Sequence, residues 1–275
     1  MKKLGIIAAK GDLSKRIVEY ALGNNIDCFV LGLEGESDPK LVSKADHIWV
    51  RLGQVSKAVE AMKKAGVSHI VFVGSLKKPD LFSLKLDMLG IKMLATITKD
   101  KFLGDNNLLS SITRFFEEYG FKVIGAHEIL KDIVVEKGIY TKTSPNKQDK
   151  IDIELGMKAV AALGSLDIGQ AVITQTGVVL GVEAIEGTDK LIERCASVKI
   201  SKKHAGVLVK LSKPKQELRM DLPTIGIKTI KNMHKAGFKG IIIEAKKAIF
   251  LDQEKVIAYA NKHNIFVMAV SVPAS

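Results

Sequence analysis

Through its first half the chain alternates short apolar runs with amphipathic stretches closed by glycine, and few folds accept that alternation. Residues 4–9, 27–33, 47–50, 69–74 and 121–125 read as strands, and residues 12–23, 54–66 and 106–120 as helices. Within 54–66, Val55, Ala58, Val59 and Met62 fall on one helical face. The run HIVFVG at 69–74 is apolar throughout, as expected of a strand covered on both sides. Strand–helix–strand repeats joined by short glycine turns specify a parallel sheet with helices on both faces. The polar–apolar mixture ahead of residue 106 takes no assignment.

Residues 129–150, with Ser144-Pro145-Asn146 and several charges, interrupt the pattern and read as a linker or crossover. A second alternation follows, with helices at 151–164, 188–198, 227–237 and 252–263. Strands are expected at 170–174, 178–184, 206–211 and 265–270, and apolar runs occupy 240–244 and 248–251. The expected architecture is two α/β domains, the N-terminal one Rossmann-like with a parallel sheet, joined by a linker. Their bounds are 1–130, 131–150 and 151–275.

Composition narrows the partners. Hydrophobic residues make up 47 % of the 275, enough for a substantial core. Forty-two Lys and Arg against thirty Asp and Glu leave a formal charge of +12, which favours anionic partners. Aromatics are only 5 % and are not interleaved with basic residues, so nucleic acid is disfavoured. The two cysteines, Cys28 and Cys195, have no neighbours at metal-ligand spacing and fit a reducing compartment. The apolar run after Lys2-Lys3 stops at Lys10-Gly11-Asp12, too early for a signal peptide and better explained as a buried first strand. No apolar stretch approaches the ~20 residues of a membrane span. A cytoplasmic protein is expected, with peripheral attachment to an anionic membrane surface.

The segment 209–226, VKLSKPKQELRMDLPTIG, carries the most chemistry. Lys210, Lys213, Lys215 and Arg219 surround Asp221, a set suited to phosphate charge and to an oriented water or a metal. Asp221 equally suits a helix N-cap, with Pro223 in the first turn and the lysines in a solvated loop. Gly11-Asp12, Gly53-Gln54 and Gly74 stand at strand-to-helix junctions that a parallel sheet gathers on its carboxyl edge, where ligands bind. No G-x-G-x-x-G pattern is present, which argues against a dinucleotide, and Asp12 also suits an N-cap. Glu183, Glu186 and Asp189 follow a strand and suit Mg²⁺, although Thr188 and Asp189 also read as a helix start. Gln170 and Gln175 flank an apolar strand, where amides can bind a base or sugar or simply edge a sheet. No catalytic triad, Cys-x-x-Cys, His-x-x-x-His or P-loop is found, and the six histidines are scattered.

Taken in order, GDLSKR, GLEGESDP, RLGQVSK, GDNNLL, GFKVIGAHEIL, LGSLDIGQAVI, VEAIEGTD, GVLVKLSKPKQELRMDLPTIG and GIIIEAKKAIFLD resemble the LpxI family over nearly the whole chain. The resemblance implies a UDP-2,3-diacylglucosamine pyrophosphatase of lipid A biosynthesis. Such an enzyme forms UMP and 2,3-diacylglucosamine 1-phosphate (lipid X) and depends on a divalent cation, Mg²⁺ or alternatively Mn²⁺. It implies Asp221 of the DLPTIG motif as the catalytic aspartate. The expected substrate contacts are Gly11, Asp12, Gly53, Gln54, Gly74, Gln170, Gln175, Thr188, Lys210, Lys213, Arg219 and Thr224. Metal ligands are expected among Glu183, Glu186, Asp189 and Asp221. The N-terminal AAKGDLS departs from the family's AGxGxLP at Lys10 and Ser14. The alternative reading is a non-enzymatic protein that binds a nucleotide sugar or a phospholipid. Partners are a lipid-linked nucleotide sugar, the cytoplasmic face of the inner membrane and, through apolar surface in the C-terminal half, a second copy as a homodimer.

Overall fold

The computed structural model describes residues 2–76, 83–98, 105–214 and 216–272. The chain forms two compact units. Unit 1 comprises Met1–Lys131 and Glu217–Asp221, and unit 2 comprises Asp132–Gln216 and Leu222–Ser275.

Unit 1 runs β1 (Leu4–Ala8), α1 (Asp12–Gly23), β2 (Cys28–Leu33), α2 (Pro39–Val42), β3 (His47–Val50), α3 (Val55–Lys64), β4 (His69–Val73), α4 (Met88–Thr98), α5 (Asp105–Glu118), β5 (Lys122–Ile124) and α6 (Ala126–Ile129). Its sheet has the order β3-β2-β1-β4-β5, with every pairing parallel. The order reverses between β1 and β4, which makes their carboxyl ends the switch point at which open α/β sheets take ligands. All five residues of β1 are buried, so both faces of the strand are covered. The helix α3 buries Val55, Ala58, Val59 and Met62, the face its spacing predicts. The sequence reading leaves α4 unassigned. Asp87 sets its start, accepting from Gly90 N at 2.9 Å through one oxygen and from Ser56 N, in α3, at 2.8 Å through the other. One carboxylate thus serves the N-terminal turns of two helices.

Unit 2 runs β6 (Gly138–Ile139), α7 (Lys147–Ser165), β7 (Ala171–Gln175), β8 (Val178–Val182), α8 (Thr188–Ala196), β9 (Val207–Lys210), β10 (Thr224–Ile225), α9 (Ile227–Lys235), β11 (Gly240–Glu244), β12 (Ile249–Phe250), α10 (Gln253–Lys262) and β13 (Phe266–Val270). The main sheet, β6-β13-β11-β9-β7-β8, is mixed: β13, β11 and β9 are parallel, while β6, β7 and β8 pair antiparallel. The stretch expected as a linker is built into this unit. Val135 is buried, its N–H bonds Ala248 O at 3.2 Å, and β6 pairs with β13. Asn146 caps α7, which begins four residues before the expected start, with Asp149 completing a capping box.

Three expected caps are corrected. Gly11 caps α1 and Gly187 caps α8, so Asp12 and Thr188 become the first residues of their helices. At φ 133° and 77° these glycines hold backbone that a residue with a Cβ adopts only under strain. Asp221 is not the cap of α9, because Thr224–Ile225 pairs with Ile249–Phe250 as a strand and Gly226 precedes the helix. Among the described residues no helix is long and apolar enough to cross a membrane.

Candidate active site

In unit 1 the expected glycines gather on the carboxyl edge of the sheet. Ser75 N bonds Lys10 O at 2.8 Å, tying the loop after β4 to the loop after β1. Gly74, at φ 95°, sits where a Cβ would stand 2.6 Å from Ala9 O and 2.5 Å from Ser14 Oγ, so the approach depends on glycine. A Cβ at Gly11 would lie 3.9 Å from the Cα of Gly74. Asp12 is exposed in the first turn of α1, where its charge favours the helix end. Gly53 and Gln54 follow β3, and Gln54 Oε1 accepts from Arg51 N at 2.9 Å within its own turn.

Gly53, Gln54 and Gly74 also line a cavity of about 240 Å³. Its remaining wall is chiefly aliphatic and aromatic, including Leu31, Leu33, Phe72, Met93 and Phe116. Met220 completes that wall and directly precedes Asp221. Asp221 is half-buried, and its N–H bonds Glu217 O at 3.0 Å. Arg219, expected on phosphate, is instead paired within unit 1. Its Nε and Nη2 meet the two oxygens of Glu217 at 2.8 Å each, and Nη1 meets Glu117 Oε1 at 2.7 Å. Hydrogen bonding from Arg219 holds the Glu217 carboxyl below its usual range against the opposing push of burial, and Glu217 in turn raises Arg219 further.

In unit 2, Gln170, Glu183, Thr188 and Lys210 converge. Lys210 ends β9 and is buried, as is Glu183 beyond β8. Lys210 Nζ donates to Thr188 Oγ1 at 3.0 Å, and Thr188 Oγ1 donates to Glu183 Oε1 at 3.0 Å. An ammonium can only donate, so the hydroxyl proton must point at the carboxylate, and the chain of bonds has one polarity. Gln170 N approaches Glu183 Oε2 at 3.4 Å. Lys213, half-buried, is in an ion pair with Asp167. Gln175 is a structural residue: Oε1 accepts from Ile200 N at 2.8 Å and Ser201 N at 3.1 Å, and Nε2 donates to Ser201 O and His204 O. Thr224 Oγ1 donates to Leu222 O at 2.9 Å. Lys215 lies outside the described residues.

The expected metal ligands do not form a cage. Glu183 is taken by Thr188, Glu186 pairs with Arg194 at 2.8 Å, and Asp189 pairs with Lys228 at 2.6 Å. Hydrogen bonding from Arg194 lowers the Glu186 carboxyl below its usual range. Among the described residues no three His, Cys, Asp or Glu side chains converge to hold an ion. Sequence reading missed Glu117, Glu217 and Met220, together with Glu244, which is buried at the end of β11. Glu244 accepts from Ser212 N at 3.0 Å and pairs with Lys247 at 2.8 Å. The signal for Glu244 was a carboxylate closing the apolar run GIIIE; that for Glu217 and Met220 was their place beside Arg219 in 209–226, and Glu117 carries no local signal.

Residues 3–133 match the model of the LpxI N-terminal domain, and residues 136–268 that of the LpxI C-terminal domain. Over 275 residues the chain is 34% identical to the UDP-2,3-diacylglucosamine pyrophosphatase LpxI of Caulobacter vibrioides, covering 98% of each protein. Among solved structures, CobK precorrin-6A reductase is 11% identical, with 100% of this chain and 89% of that one covered at a TM-score of 0.32. N5-carboxyaminoimidazole synthetase of Staphylococcus aureus is 14% identical, with 73% and 45% covered at 0.26. Structural likenesses this weak bear on neither fold nor function. Matched across both domains and to a relative of equal extent, the chain belongs to the LpxI family.

Proposed function

We propose that this protein hydrolyses the pyrophosphate bond of UDP-2,3-diacylglucosamine, releasing UMP and 2,3-diacylglucosamine 1-phosphate for lipid A biosynthesis. The observation that carries the reading is 34% identity, over 98% of both chains, to an enzyme named for that activity. Water adds to one phosphorus as the bridging P–O bond breaks. The reaction needs charge neutralisation and an oriented water more than a protein nucleophile. Asp221 is assigned to hold that water and draw its proton. Lys210, its ammonium fixed by Thr188, is assigned to phosphoryl charge. The apolar cavity bordered by Met220 suits an aliphatic chain of the substrate.

A divalent ion, Mg²⁺ or Mn²⁺, belongs to the proposal as a partner of the substrate diphosphate, with Asp221 as its protein carboxylate. Glu183, Glu186 and Asp189, each bonded elsewhere, do not fit as its cage. When bound, the ion supplies charge neutralisation on the phosphates. The charge of +12 supports peripheral attachment to the anionic cytoplasmic face of the membrane. A homodimer through unit 2, where Leu166 and Ile185 are exposed by 71% and 89%, also belongs to the proposal.

The test is UMP release from UDP-2,3-diacylglucosamine across a titration of Mg²⁺ and Mn²⁺, with the deacylated nucleotide sugar as control. Asp221→Ala is expected to lower turnover by about 10³-fold while substrate still binds. Normal UMP release by the variant would remove Asp221 from the mechanism. Tight binding without release by the wild type would favour the non-enzymatic binding protein.

A further inference from the structure

We propose that Arg219, with Glu117 and Glu217, is a positioning clamp that fastens the loop carrying Asp221 to helix α5, rather than a ligand for the substrate's phosphates. The inference rests on the proposed reaction and on Asp221 as its catalytic group. Glu117 lies outside the sequence motifs, and Glu217 stands inside one without a role read for it.

The charges argue first. One guanidinium faces two carboxylates, with Nε and Nη2 spanning both oxygens of Glu217 and Nη1 on Glu117. A phosphoryl group approaching Arg219 finds its guanidinium already held by two carboxylates and would have to displace one. Bidentate geometry makes the Glu217 contact a directional one.

The hydrogen bonds that tie the loop to α5 argue second. Glu117 reaches Arg219 across 102 positions and fastens the loop to α5. Thr113, fully buried and one helical turn earlier, donates to Met220 Sδ at 2.9 Å. Residues four apart share a helix face, so two consecutive loop residues rest on one stripe of α5. Met220 N and Asp221 N both bond Glu217 O at 3.0 Å, closing the loop on the residue that Arg219 grips. Asp221 is therefore the next residue after two anchors, and its carboxylate inherits their placement. A misplacement of about 1 Å at a water-orienting group can cost ~10²-fold in rate.

The two roles for Arg219 separate in steady-state kinetics on UDP-2,3-diacylglucosamine. A clamp predicts that Arg219→Lys and Glu117→Gln each lower kcat by roughly 10- to 100-fold, with KM within about twofold of wild type. Arg219→Ala combined with Glu117→Ala should be no worse than Arg219→Ala alone, since Arg219→Ala already removes the contact that Glu117 makes. A phosphate ligand predicts the reverse: KM rises in Arg219→Lys, while Glu117→Gln, by relieving repulsion, leaves kcat intact and lowers KM. That result overturns the proposal. So does a lower melting temperature with unchanged kcat in the two conservative variants, the outcome of a purely structural contact. Because those variants retain side-chain size, they keep the test open should Arg219→Ala fail to fold. A wild-type protein that releases no UMP sinks the proposed reaction and the clamp with it. A working wild type with altered KM alone sinks only the clamp.

Discussion

Arg219 and Asp152 show what a residue's neighbours in sequence conceal. The cations of 209–226 advertise affinity for phosphate, yet Arg219 is held by Glu217 two residues before it and by Glu117, far away along the chain. Asp152 drew no notice, being an acidic residue among others at the start of α7. In the structure it is fully buried and accepts from Thr176 N at 3.0 Å and Gly177 N at 2.6 Å. Those two residues form the β7–β8 turn with φ of 52° and 77°. A β-branched residue disfavours such backbone, and the carboxylate offsets that cost by satisfying both turn N–H groups. Asp152→Ala is expected to destabilise the protein by about 3 kcal/mol, and Asp152→Asn by less because one acceptor survives. Urea unfolding followed by far-ultraviolet circular dichroism checks the order, and equal midpoints for all three proteins would discount the role.

Among elements, legibility followed amphipathicity. The helix α1 occupies the expected span because Ile17, Val18 and Ala21 recur at helical spacing, and α3 buries the expected face for the same reason. The strands of unit 1 were readable as runs that only a doubly covered sheet tolerates. The helix α4 was not readable: Met88–Thr98 is apolar at most positions, and Met88 and Ile91 are exposed, so no polar face marks a period. Its start depends on Asp87, which α3 shares. Asp87→Ala is therefore expected to cost unit 1 more than one ordinary cap, about 2 kcal/mol. The single tryptophan, Trp49 in β3, provides a fluorescence probe of that unit. A midpoint shift no larger than for Asp38→Ala, which removes the cap of the short α2, would refute the shared role. Glu183 and Glu186 were legible as residues and not as partners, because which group satisfies each carboxylate is decided by folding.

At the scale of the molecule, the units do not coincide with continuous halves of the chain. Glu217–Asp221 belongs to unit 1, while the residues on either side of it belong to unit 2. A fragment of residues 1–131 would lack Met220 from its cavity wall and the counterion of Glu117. Amide exchange in α5 is expected to be faster in that fragment than in the full chain, and equal rates would show that the segment contributes nothing there. The same five residues limit how such proteins can recombine. A chimaera joined near residue 134 takes its N-terminal body from one parent, but the other parent supplies Met220 and the grip on α5. Compatibility between parents is then decided less at the junction than at a short stretch eighty-odd positions downstream, where an α5 carrying Glu117 must meet an arginine it did not evolve beside.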